Sequence, residues 1–445
     1  MNALIAYLAL AGSFLAIPQG NAPDLYAVMA RVNQLAAKSL WPGFEPRSVP
    51  VAFFTGTKTL LFGHPHPPDG FLPAKGHEGV MIFAGRHESV VANTSVNLGG
   101  VLTATIMLES MTGKSTAEIA AVVVHETFHV FQTVKHGDWS SNEVLLFTYP
   151  MDEVQNHFGL LLEARALARA VRAKTNADAA RWAAGHLKLR GQRYEAYPGA
   201  ADYERGVELT EGTAHYVEAL ALGKVAATES LVLPWRPDQV RHRCYFTGKA
   251  LAAILDRMDP GWKQALEAGP TKTLDVLLLE SLASQEVDPA RFDEAEKADL
   301  TAQAERAVTE LKQYREKTVA EFRARPGARI IIETPEDNLL QVRGFDPMNI
   351  LKVGEREVLH LRMLTLGCKN ANLQVVGLPA LSRGLGPHPL FNGILRLEIA
   401  GLAATPEINQ SEGHLTVNSD TLKMDFTNAS LTREGLIIRI LLKAE

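Results

Sequence analysis

Residues 121–133 read AAVVVHETFHVFQ, an apolar run interrupted by His125, Glu126 and His129. Residues four apart share one face of an α-helix, so His125 and His129 would direct their imidazoles at a common point. Glu126 lies about 100° around such a helix from His125, and its carboxylate can reach an atom beside that point. This is the HExxH pattern, in which both histidines bind Zn²⁺ and the glutamate serves a metal-bound water as general base.

The surroundings of the motif favour a metal site. All other residues from 123 to 130 are uncharged, as a helix packed around a metal requires, because each further charge would have to be desolvated. The alternative is a core helix with two hydrogen-bonded histidines and a capped glutamate. That alternative would bury three polar groups without a common partner, which is costly.

A second polar stripe occurs at residues 208–218, which read ELTEGTAHYVE. On a helix Glu208, Glu211, His215 and Glu218 would follow one another along a single face. Two histidines leave a catalytic zinc one protein ligand short, so this stripe is a candidate source of the third. Gly212, which has no side chain, would let another backbone approach closely.

HETFH followed by LTEGTAHYVE resembles the gluzincin metallopeptidases, the clan of thermolysin and the aminopeptidase N family, in which a glutamate on a later helix completes the zinc site. In the aminopeptidase N family that helix reads approximately L-N-E-G-x-x-x-Y-x-E. The matching residues are Leu209, Glu211, Gly212, Tyr216 and Glu218, with Thr210 in place of asparagine. The resemblance implies that Glu211 is the third ligand and that Glu218 orients a ligating histidine, with Glu208 as a further supporting carboxylate.

The segment CYFTGKAL is similar to the Tyr-x-Lys-Gly segment of the same family, whose tyrosine donates to the transition-state oxyanion. Here Tyr245 is followed three residues later by Gly248. The resemblance implies that Tyr245, aided by His215, stabilises the oxyanion. A buried tyrosine with a hydrogen-bonded hydroxyl is the alternative.

The chain also departs from the family pattern. The glutamate helix lies much farther from HExxH than in the aminopeptidases, which leaves room for inserted helices and keeps Glu163 in LLLEARAL eligible as a ligand. A clean glycine-rich motif for a free amino terminus is missing, and GRHES offers only Glu88 in that region. The similarity covers about residues 125–250.

The implied activity is hydrolysis of a peptide or protein substrate with one Zn²⁺ per chain. The segment Gly100–Leu108, just before the motif helix, is expected to supply a sheet edge to which an extended peptide adds as a strand. Two other classes of function stay open. One is a catalytically inactive, zincin-like binding or scaffold protein, and the other is a structural or adhesion protein.

Composition narrows the class of protein. The 445 residues are 46% hydrophobic and 21% charged, with a net charge of −5 and no basic run, which argues against nucleic-acid binding. Cys244 and Cys368 are too few for a disulfide framework or a cysteine zinc knuckle, and whether they pair is left open.

Residues 1–22 resemble a signal peptide, with an apolar stretch too short to cross a bilayer comfortably and a small-residue zone near its end. Export is therefore expected, without stable membrane insertion. No Lys or Arg precedes the apolar stretch, so an N-terminal core helix in a cytoplasmic protein, or a wrongly assigned start, is the alternative.

The elements that must position these residues form an α+β fold with a zincin-like domain at 23–325 and an all-β sandwich or barrel at 326–445. A small sheet is expected at about 48–110, with strands near 49–55, 79–85, 89–96 and 100–108. Residues 111–325 are expected to be helical, with helices at 115–136, 151–173, 177–197, 201–223, 240–258 and 289–323, preceded by one at 24–40. Ser115 and Glu118 form a capping box at the start of the motif helix.

Overall fold

A computed structural model describes residues 23–283 and 285–443. The chain is mainly helical up to Ala324 and β-rich from Ala328 to Leu442, which confirms the predicted α+β class. The predicted leader lies outside the described residues. The helices are α1 (Leu25–Ala36), α2 (Thr116–Lys135), α3 (Val154–Arg172), α4 (Asn176–Ala196), α5 (Pro198–Val207), α6 (Thr213–Leu222), α7 (Val240–Met258), α8 (Trp262–Ala268), α9 (Leu274–Leu282) and α10 (Glu294–Ala324).

The strands fall into an N-terminal group and a C-terminal group. The first group is β1 (Val51–Phe54), β2 (Lys58–Phe62), β3 (Leu72–Pro73), β4 (Val80–Ala84), β5 (Thr94–Leu98) and β6 (Val101–Met107). The second is β7 (Ala328–Glu333), β8 (Gln341–Phe345), β9 (Ile350–Lys352), β10 (Glu357–His360), β11 (Met363–Cys368), β12 (Ala371–Val376), β13 (Ala380–Gly384), β14 (Ile394–Leu402), β15 (Asn409–Ser411), β16 (His414–Asn418), β17 (Leu422–Phe426), β18 (Ala429–Glu434) and β19 (Ile437–Leu442).

The described chain divides into two compact units, the first made of residues 23–137 and 217–225. Its sheet has the strand order β3-β4-β2-β1-β6-β5. The expectation that Gly100–Leu108 forms an edge is wrong, because β6 pairs with β1 on one side and with β5 on the other. The edge strand is β5, and α2 packs against both β5 and β6.

The start of α2 is set by the predicted capping box. Ser115 Oγ accepts from the Glu118 N–H, and the Glu118 carboxylate accepts from the Ser115 N–H at 3.0 Å. These bonds satisfy N–H groups that the first turn of a helix leaves without partners. Val123, Val124, Phe128 and Val130 then bury the helix in the unit's core, so burial and capping together hold the HExxH residues on one rigid element.

The second unit comprises residues 138–216 and the described residues from 226 onwards. The predicted single helix at 201–223 is interrupted in the structure. A π turn at Glu208–Gly212 separates α5 from α6. Such turns are rare and frequently lie at functional sites.

Two sheets make up the β-rich region. One has the order β18-β19-β7-β14-β13-β10-β9 and the other β15-β16-β17-β12-β11-β8. Their buried residues form one hydrophobic cluster that also contains Leu146, Tyr203, Val207 and Cys244 of the helical part. The predicted boundary at Pro326 and Gly327 thus marks the change from helix to strand, while one core serves both sides of it.

The bounds of the other elements agree with the predictions in some cases and differ in others. The bounds of α7 are those predicted, whereas β5 begins at Thr94 because residues 88–93 form turns and bends. The short elements α8, α9, β2 and β3 were not predicted. Within the described residues, no helix combines the length and the apolar character that a membrane span requires.

Candidate metal centre

His125 and His129 converge on one face of α2. Their Nε2 atoms are 3.1 Å apart, with ring centroids 4.8 Å apart and planes inclined by 79°. His125 is 7% exposed and His129 is half-buried. The four-residue spacing therefore brings the two ring nitrogens to a common point, as helix geometry requires.

The outer nitrogens of both rings lie beside acceptors. His125 Nδ1 is 3.2 Å from Glu218 Oε2, and His129 Nδ1 is 2.8 Å from Gln132 Oε1. An ionised carboxylate only accepts, so it favours the proton on His125 Nδ1, and the amide oxygen does the same for His129. With both protons on Nδ1, the two Nε2 lone pairs would face each other, an arrangement that a cation between them would stabilise. Ligating histidines typically have such a partner on the second nitrogen.

Glu126 follows His125 directly on α2 and is 7% exposed. A carboxylate next to two converging imidazoles is placed as the HExxH pattern requires of a general base. It is the only acidic residue of α2 after the first turn.

Glu211 lies on the π turn, and the packing of that turn depends on two glycines. A Cβ on Gly212 would lie 2.6 Å from Gly248 Cα, and a Cβ on Gly248 would lie 2.7 Å from the Glu208 carbonyl oxygen. The π turn and α7 therefore touch backbone to backbone. The close approach expected at Gly212 is present, and Gly248 is its partner.

An arginine of α7 holds the Glu211 carboxylate. Arg241 Nη2 donates to Glu211 Oε1 at 2.7 Å, and Arg241 Nη1 donates to Glu143 Oε1. Glu143 also accepts from Tyr203 Oη at 3.2 Å and from Ser141 Oγ at 2.7 Å. Although burial alone would lower the pKa of Arg241, the neighbouring Glu211 carboxylate raises it.

Glu208 belongs to a different set of contacts. Its carboxylate accepts from Arg190 Nη1 at 2.8 Å, from Arg190 Nη2 at 2.6 Å and from Thr247 Oγ1 at 2.5 Å, and the residue is 1% exposed. The π turn winds less per residue than an α-helix, so Glu208 leaves the stripe that the sequence predicts. It lies in a buried ion-pair network instead of supporting the histidines.

Glu163, the alternative ligand, lies in the same network. Arg193 donates to its two oxygens at 2.5 and 2.9 Å, and Arg190 donates at 3.3 Å. Burial would raise the pKa of Glu163, but the two guanidinium charges hold it below its ordinary value. Both oxygens are thus engaged by arginines.

The two oxyanion candidates are near each other. The rings of His215 and Tyr245 have centroids 6.3 Å apart, and His215 also contacts Phe246 edge to face at 5.0 Å. Both candidates are half-buried. Glu88, the weak amino-terminus candidate, is exposed in a turn between β4 and β5.

Among the described residues, two sets of side chains are candidates to hold a metal ion. They are His125, His129 and Glu211, and His125, His215 and Glu218. Imidazole nitrogens and carboxylate oxygens are the ligands that zinc takes in catalytic sites. The donor types therefore fit Zn²⁺, and the first set contains the three residues predicted to bind it.

Comparison with protein-family models, with curated proteins and with solved structures found no match. The gluzincin resemblance accordingly rests on the short motifs quoted above.

Three residues that contact the predicted metal ligands or their partners were not predicted from the sequence: Gln132, Glu143 and Arg241. Gln132 lies three residues after His129 on the same helix, so its spacing could have identified it. Glu143 and Arg241 have no local signal, since neither lies near Glu211 in the sequence.

Proposed function

We propose that this protein is a zinc-dependent metallopeptidase of the gluzincin type, with His125, His129 and Glu211 as the metal ligands. The observation that carries the proposal is the approach of the two Nε2 atoms to 3.1 Å while each Nδ1 lies beside an acceptor. With the ring protons on Nδ1, two Nε2 lone pairs in this position would favour a cation.

Zn²⁺ at this site would act as a Lewis acid and lower the pKa of a water molecule to about 7. Glu126 would take the proton of the attacking water and pass it to the leaving amine. Tyr245 would donate a hydrogen bond to the oxyanion, with His215 beside it. Glu218 and Gln132 would keep the two imidazoles in the tautomer that leaves Nε2 free to bind metal.

The sheet edge next to α2 suggests how a peptide is held. Because β5 pairs only with β6 among the described residues, its other side can pair with an extended chain. An extended peptide or protein segment added there would run beside the motif helix. Export of the mature protein without its leader is part of the same proposal.

Two variants on α2 test the proposal. Glu126→Gln should lower the rate of peptide cleavage about 10²–10⁴-fold while plasma emission analysis still finds one zinc per chain. His125→Ala should lose the zinc. Glu118→Gln, at the half-exposed start of the same helix, is the matched control and should retain both.

Chelator-sensitive cleavage of a mixed peptide library by the wild type is the expected result. Zinc binding without cleavage would select the inactive scaffold instead. Full activity of Glu126→Gln would remove the general-base role, and a wild type without zinc would remove the whole proposal.

A further inference from the structure

We infer that Arg241 and Glu143 form a clamp that positions Glu211 for the metal, and that the β-rich region anchors this clamp. The inference rests on the proposed function, in which Glu211 is a ligand. It assigns a role to two residues outside the HExxH and glutamate motifs, and to a region that carries no motif of its own.

The first step concerns the oxygen atoms of Glu211. Arg241 Nη2 donates to Oε1 at 2.7 Å. A guanidinium on one oxygen fixes the rotation of the carboxylate, because its donors are planar and rigidly spaced. The second oxygen is then presented in one direction. Carboxylates that bind metals usually have such an outer hydrogen bond.

The second step concerns what holds Arg241. The residue is 9% exposed, and its other terminal nitrogen donates to Glu143. Glu143 is itself fixed by Ser141 Oγ at 2.7 Å and Tyr203 Oη at 3.2 Å. One guanidinium thus serves two carboxylates. With Glu143 and Glu211 both ionised, the three groups carry one net negative charge, so Arg241 can orient Glu211 without cancelling the negative charge that a cation site needs.

The third step follows Glu143 into the β-rich region. Glu143 begins a short 3₁₀ segment, Glu143–Phe147. Lys352 Nζ of β9 donates to the Phe147 carbonyl oxygen at 2.8 Å, and His388 Nε2 lies 3.2 Å from the Val144 carbonyl oxygen. The last residue of the 3₁₀ segment, Phe147, contacts the rings of Phe345 and Phe391 at centroid distances of 5.8 and 6.4 Å.

These contacts form a continuous path from the sheets through residues 143–147 and Arg241 to Glu211. Loops alone would leave the carboxylate free to rotate, whereas a path of charged hydrogen bonds and aromatic contacts restricts it. The β-rich region is therefore a positioning element for the candidate metal ligand in addition to any contact it makes with a partner.

The test measures Zn²⁺ affinity by competition with a chromophoric chelator, together with the visible spectrum of the Co²⁺-loaded protein. Arg241→Met and Glu143→Gln should each weaken Zn²⁺ binding about 10–100-fold, and Arg241→Lys should restore part of the loss. Lys352→Met should weaken binding at least about threefold. Arg236→Met is the matched control, because that arginine pairs with Asp238 and lies over Tyr314, and it should bind like the wild type.

The Co²⁺ spectrum separates positioning from general destabilisation, since a rotated carboxylate changes the ligand field even when the protein is fully folded. A wild type that binds one zinc and loses it on His125→Ala, together with Arg241→Met and Glu143→Gln variants that bind within twofold of it, would overturn the inference and leave the proposed function standing. A wild type without zinc would overturn both. Should Arg241→Met not fold, Arg241→Lys and Glu143→Gln still decide the question.

Discussion

The substitution Gly212→Ala tests the link between backbone packing and the π turn that carries Glu211. The new Cβ would lie 2.6 Å from Gly248 Cα and 3.3 Å from the Cys244 carbonyl oxygen. Both obstacles belong to the backbone of α7, so no side chain can rotate away to make room. The π turn and α7 must move apart.

The expected cost follows from two opposing effects. Overpacking of this kind destabilises a protein by about 1–3 kcal/mol. Replacing a helical glycine by alanine stabilises the folded protein by roughly 0.5–1 kcal/mol, because the unfolded chain then has less backbone entropy. We therefore expect a net loss of about 1–2 kcal/mol in the free energy of unfolding. Displacement of Glu211 should also weaken Zn²⁺ binding about tenfold or more.

Urea unfolding monitored by circular dichroism, with Zn²⁺ affinity measured by chelator competition, checks both effects. Gly191→Ala is the matched control, because Gly191 is exposed on α4 and a Cβ there meets nothing within 4 Å. This control should be as stable as the wild type or up to about 1 kcal/mol more stable. Unchanged stability and Zn²⁺ affinity in Gly212→Ala would refute the reasoning.

Three other perturbations address the buried groups of the second unit. Glu208→Ala removes the bidentate ion pair of Arg190 and should cost about 3 kcal/mol in urea unfolding, whereas a loss under 1 kcal/mol would show that the network is dispensable. Burial lowers the pKa of His186 to about 3. Below pH 6.5 the unfolded chain therefore binds a proton that the folded chain does not, and the free energy of unfolding should decrease by about 2 kcal/mol as the pH is lowered from 6.5 to 5. His186→Asn should show a correspondingly shallower pH dependence, and an identical one would contradict the assignment. Cys244 is free and buried and Cys368 is free and half-buried, so a thiol reagent should modify one cysteine in the native protein and two in urea, while the absence of free thiols would reveal a disulfide.

The ion-pair network has a consequence for the site. Burial opposes ionisation of Glu204, but Arg193 and Arg243 lower its pKa to about 2. This glutamate stays charged at all ordinary pH values. Together with Glu163 and Glu208 it ties α3, α4, α5 and α7 together through buried arginines. The helices that carry Glu211 and Tyr245 are thus held by charges that cannot be removed singly without a large penalty.

The sequence by itself determined the features that depend on local geometry. The four-residue spacing of His125 and His129 is enough to make their rings converge, because a helix repeats every 3.6 residues. Ser115 and Glu118 are enough to place the start of α2. The change from helical periodicity to short alternating strands after Arg325 likewise predicted the α+β class.

Only the tertiary structure decided the contacts between segments that lie far apart in the chain. It shows that Glu208 and Glu211, on one π turn, pair with different arginines, and that Glu143 shares Arg241 with Glu211. It also shows that β5, and not β6, is an edge strand of the first sheet. The spacing of residues in the sequence does not predict these contacts, because each forms between segments that are distant in the chain and meet only in the folded structure. The packing of Gly212 on Gly248 is the clearest case, since two residues without side chains determine where a candidate metal ligand lies.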